Sequence, residues 1–68
     1  MRLYKLRFRL DILEEELDGD EVRFIPTDKK LVYDIVTVDP EELGGGEWER
    51  IVRLATGRLV DALRKGKP

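Results

Sequence analysis

The absences in this chain exclude more than its contents establish. Across 68 residues there is no Cys, His, Ser, Asn or Gln, and Met stands only at position 1. Without cysteine there is no disulfide and no thiolate metal site. Without histidine as well, an ordinary zinc site is not expected. Ser–His and Cys–His nucleophilic pairs are impossible for the same reason. The side-chain hydroxyls come down to Thr27, Thr37, Thr56 and two tyrosines. Carboxylates and lysines remain for acid–base work, but that chemistry needs a cleft, which a sheet with one helix rarely encloses. The expectation is therefore no enzymatic activity, no cofactor, no metal and no small-molecule substrate. No run approaches the ~18 apolar residues of a membrane span. Met1 to Leu10 is basic and alternating, unlike a signal peptide. A cytoplasmic chain is expected.

Charged residues make up 41% of the chain, and Arg outnumbers Lys. With Asn, Gln and Cys missing and ion-pairing residues abundant, the composition suggests a thermophile. A designed protein is the rival reading, although Gly44-Gly45-Gly46 and the unpatterned joint near Leu13 are less idealised than designs usually are. A net charge of −2 and a pI near 5.1 argue against a bulk nucleic-acid binder. The length allows one small domain spanning 1–68, which buries only about 60% of its surface on folding. Such a chain needs an economical core or association with another chain.

Two periodicities organise the sequence. Over about 47–65, Trp48, Val52, Ala55, Leu59 and Leu63 recur at helical spacing, with Ile51 and Ala62 beside them. Arg50, Arg53, Asp61 and Arg64 take the opposite side, and Glu49–Arg53 and Asp61–Lys65 are spaced as helix ion pairs. Gly66-Lys67-Pro68 stops the helix. From Leu3 to Ile12 the period is two: Tyr4, Leu6, Phe8, Leu10 and Ile12 on one face, Lys5, Arg7, Arg9 and Asp11 on the other.

Leu13 to Asp20 reads two ways. A short helix capped by Asp11 and Glu14 is one. The preferred one continues the strand to an Asp18-Gly19 type I′ turn that pairs Leu17 with Asp20, with a bulge near Ile12-Leu13. A second strand follows over about 21–25, with Val22 and Phe24 inward, ended by Pro26. Thr27-Asp28-Lys29-Lys30 reads as a polar turn. The third strand, about 31–38, carries Leu31, Tyr33 and Ile35 on one side and Val32, Val36 and Val38 on the other. Asp39-Pro40-Glu41-Glu42 reads as one capped helical turn. The expected fold is α+β: a three-stranded antiparallel sheet, strands about 3–17, 21–25 and 31–38, packed against one C-terminal helix.

Several stretches invite a chemical reading. Gly44-Gly45-Gly46 before a helix could cradle phosphate, but Glu47 and Glu49 would repel it, so a flexible joint is favoured. The acids Glu14, Glu15, Glu16, Asp18, Asp20 and Glu21 lack the order of a calcium loop and read as a solvated hairpin tip. Gly57, inside the helix, is either a point of close approach for another backbone or a harmless solvent-side glycine. Arg2, Lys5, Arg7 and Arg9 could track a phosphate backbone, yet no aromatic accompanies them. A single helix covers one sheet face, which leaves Val32, Val36 and Val38 uncovered. The leading functional expectation is a non-enzymatic protein-interaction module, a homodimer or small subunit of a larger assembly, binding through Val32, Val36 and Val38. A nucleic-acid-binding module using Arg2, Lys5, Arg7 and Arg9 of the first strand, with Arg50, Arg53 and Arg64 of the helix, is the alternative.

Overall fold

A computed structural model of the chain describes residues 2–66. Its elements run β1 (Tyr4–Asp18), β2 (Glu21–Thr37), a 3₁₀ turn (Pro40–Glu42) and α1 (Gly45–Lys65). The sheet has two antiparallel strands, not three. The expected break at Pro26 and the expected reversal over Thr27–Lys30 do not occur. The chain absorbs them inside β2 as an irregularity: Asp11 pairs with Lys30 and Leu13 with Pro26, so three residues of β2 stand opposite Ile12 alone. Thr27 holds this bulge. Its hydroxyl donates to the Ile12 carbonyl at 2.8 Å and accepts the Lys29 N–H at 3.2 Å. A proline is tolerated at such a place because the ladder is already interrupted there.

Leu13 to Asp18 is strand. The reversal that follows is one residue later than expected: Asp18 pairs with Glu21 and Leu17 with Val22, leaving Gly19-Asp20 as the loop. Gly19 has φ +65°, and no non-glycine among the described residues has positive φ. Glycine at the first loop position with an ordinary second residue is the pattern of a II′ turn, not I′. The left-handed conformation falls on the one residue of the pair without a Cβ, and the register follows from that.

Asp39 caps the 3₁₀ turn by accepting the Glu41 N–H at 3.0 Å, and Pro40 occupies its first position, where a missing N–H costs nothing. Gly44 then caps α1, and the Gly66 N–H closes it onto the Ala62 carbonyl at 3.1 Å. Lys67 and Pro68 lie outside the described residues. The helix runs back along the ribbon and packs chiefly against β2. Its last turn, at Ala62, Leu63 and Gly66, meets Asp28–Leu31, and Leu59 and Val60 lie near Phe8–Leu10. The half-buried residues Leu6, Phe8, Leu10 and Ile12 of β1, with Leu31, Tyr33 and Ile35 of β2, form the covered face. Fully buried apolar residues are few: Ala55 and Leu59 alone among those described. Among the described residues, no helix is long and apolar enough to cross a membrane.

Candidate interaction surface

The register builds the uncovered face. Lys5 stands opposite Val36, Arg7 opposite Asp34 and Arg9 opposite Val32. The basic residues of β1 and the valines of β2 therefore interleave across one side, the side away from α1. Val32 and Val36 are 52% and 60% exposed. Val38 is exposed too, but it falls one residue beyond β2 and leaves the pleat. Leu43, in the segment after the 3₁₀ turn, is half-buried, yet the valines stay open to solvent.

Arg7 is the most engaged of the cations. Its Nε and one terminal nitrogen donate to the two Asp34 oxygens at 2.9 and 3.0 Å, a forked pair. Those hydrogen bonds hold the Asp34 carboxyl below its ordinary value against desolvation, with the charges of Arg7 and Lys5 adding to the lowering. The same hydrogen bonds raise Arg7. Arg9 lies 3.5 Å from Asp11, a looser contact. Neither Arg2 nor Lys5 has an ion-pair partner among the described residues. The helix pairs Glu49–Arg53 and Asp61–Lys65 are also not among the ion pairs formed. The third pair, Arg23–Asp18, closes the hairpin tip.

The larger uncovered surface lies elsewhere. Beyond the bulge, the pairs Leu13–Pro26, Glu15–Phe24 and Leu17–Val22 set five apolar residues on one face of the hairpin arm. Val22 and Phe24, expected to point inward, are 52% and 64% exposed, and Leu17 is 69% exposed. Alternation marks a face for burial without showing whether anything reaches it. A signal for them was available. A helix of 21 residues is about 31 Å long, whereas 15 strand residues span about 50 Å. The protein measures 54 Å along its longest axis. Some 20 Å of ribbon must therefore run past the helix.

The remaining candidates place no chemistry. The acids of the arm lie mostly on β1, with Asp20 in the loop and Glu21 on β2, and no group of three His, Cys, Asp or Glu among the described residues is arranged to hold a metal ion. A Cβ on Gly57 would meet nothing within 4 Å. With Trp48, Glu49, Val52, Arg53 and Thr56, Gly57 lines a shallow open depression on the flank of the helix. Comparison with protein-family models, curated proteins and solved structures finds no significant match to this chain.

Proposed function

We propose that the protein is a non-enzymatic interaction module that docks another protein chain on the uncovered side of its β-ribbon, with Val32 and Val36 at the centre and Val38 at the margin. One observation carries the reading: Ala55 and Leu59 are the only buried apolar residues described, while valines, leucines and Phe24 stand open along the ribbon. Contiguous apolar exposure marks an interaction surface. A two-stranded ribbon is at best marginal in water unless a third element covers it. The partner is most simply a second copy.

Val36→Lys is the test, read by circular dichroism and by light scattering over a concentration series. The expected variant stays folded and loses the associated mass. An unfolded variant would make Val36 part of the monomer core and sink the reading, as would unchanged mass and stability. A salt titration with DNA and RNA probes addresses the alternative role of Arg2, Lys5, Arg7 and Arg9. Phosphate-driven binding falls steeply with salt, and apolar association does not. The forked commitment of Arg7 to Asp34 counts against that alternative.

A further inference from the structure

The two halves of β1 carry opposite charge. Its first half holds Lys5, Arg7 and Arg9 and no acid; its second half, from Asp11, holds Asp11, Glu14, Glu15, Glu16 and Asp18 and no base. The centres of the halves lie about 27 Å apart along the strand, well beyond the ~8 Å over which salt leaves exposed charges in contact. Only Arg9 and Asp11, at the junction of the halves, pair within one copy, at 3.5 Å; the other charges cannot neutralise each other there. β2 neutralises them only in part. Asp34 takes Arg7 and Arg23 takes Asp18. Lys5, Arg9, Glu14 and Glu15, by contrast, stand opposite Val36, Val32, Ile25 and Phe24. Four charges on one strand thus face apolar residues across the ladder. The outer edge of that strand has no neighbour among the described residues.

An unpaired edge of 15 residues is a template for another strand. The charge order decides which strand fits. A parallel copy of β1 would set base against base and acid against acid. An antiparallel copy, turned about a two-fold axis near Asp11–Ile12, sets each basic half against the other copy's acidic half. We infer that two copies of this chain pair through the outer edges of β1, antiparallel, forming a continuous four-stranded sheet in the order β2-β1-β1-β2. The contact is isologous and closes on itself, so it ends at a dimer. It supplies main-chain hydrogen bonds to the open edge and doubles the width of the apolar arm. This inference goes beyond the interaction reading above: its seam is the outer edge of β1, and Val32 and Val36, on β2, stay open in it.

The experiment uses two double variants of the full chain, Lys5→Glu with Arg9→Glu, and Glu14→Lys with Glu15→Lys. Native mass spectrometry and light scattering at low salt read the association. Each variant alone is expected to dimerise about tenfold or more weakly than wild type, as when facing charges are made alike. An equimolar mixture is expected to recover a 1:1 heterodimer, which a misfolded variant could not form. A wild-type dimer should also weaken as salt is raised, a measurement that needs no variant. Wild type monomeric at every concentration overturns the self-pairing and leaves the module free to bind a different protein. Charge variants that dimerise like wild type, alongside a monomeric Val36→Lys, overturn the edge pairing while the uncovered face stands. A dimer indifferent to all three variants overturns both.

Discussion

Asp34 shows how much a single pairing can be read from an alternating strand. On the basic side of β1, the register sets Arg7 opposite Asp34. The sign of its contribution follows from the lowered carboxyl. A group held below its unfolded pKa stabilises the fold above that unfolded value, about 4 for aspartate, and stops doing so as pH falls through its folded value. The stability gap between wild type and Asp34→Asn is therefore expected to be present at neutral pH and to close on acidification, as urea midpoints across a pH series would show. Both groups are exposed, so the gap is small. Leu59 is the opposite kind of residue, buried on the helix stripe. Leu59→Ala is expected to cost about 2–5 kcal/mol, with an unchanged denaturation midpoint counting against its place in the core. The helical period named Ala55 and Leu59 correctly. It could not tell that Val52, on the same stripe, would stay half open, because α1 sits mainly over β2 and leaves its flank uncovered.

At the scale of elements, the helix was legible because it keeps one period, and the first strand as far as Ile12, where the alternation ends. The second strand was not. Pro26 and the polar run Thr27–Lys30 are the residues of a chain reversal, and local chemistry alone favours one. The reversal is overridden by pairing: Glu21–Ile25 and Leu31–Thr37 find the same neighbour, β1, on either side of the bulge. No sequence-local signal reports a shared partner. The Thr27 hydroxyl, bonded to both strands' backbones, is what lets the bulge sit in an otherwise continuous ladder. Thr27→Val keeps the shape and removes both bonds. It is expected to destabilise by about 1 kcal/mol in urea denaturation, with hydrogen exchange rising first at Lys29, whose N–H loses its acceptor. An unaltered exchange pattern would mean that the bulge is held by the register alone.

For the whole molecule, the decisive quantity is a mismatch of lengths. The helix ends where the bulge begins, so one half of the ribbon has a roof and the other does not. Composition had already implied that a chain of this size needs help, and the structure shows where the shortfall lies: along Leu13–Pro26, on the arm. That asymmetry bears on the lifetime of the chain as well as its contacts. Local opening begins where few buried contacts hold the backbone, and in a lone copy that is the arm, while the helix-covered half stays closed. A protease then has a ready point of entry in each copy that has not found a partner, and none of equal ease in one that has. Limited proteolysis should cut first between Glu14 and Ile25, faster in dilute than in concentrated samples, and cleavage starting in α1 would refute this. If copies do pair, the bare arm makes the unpaired chain the one that proteases reach first.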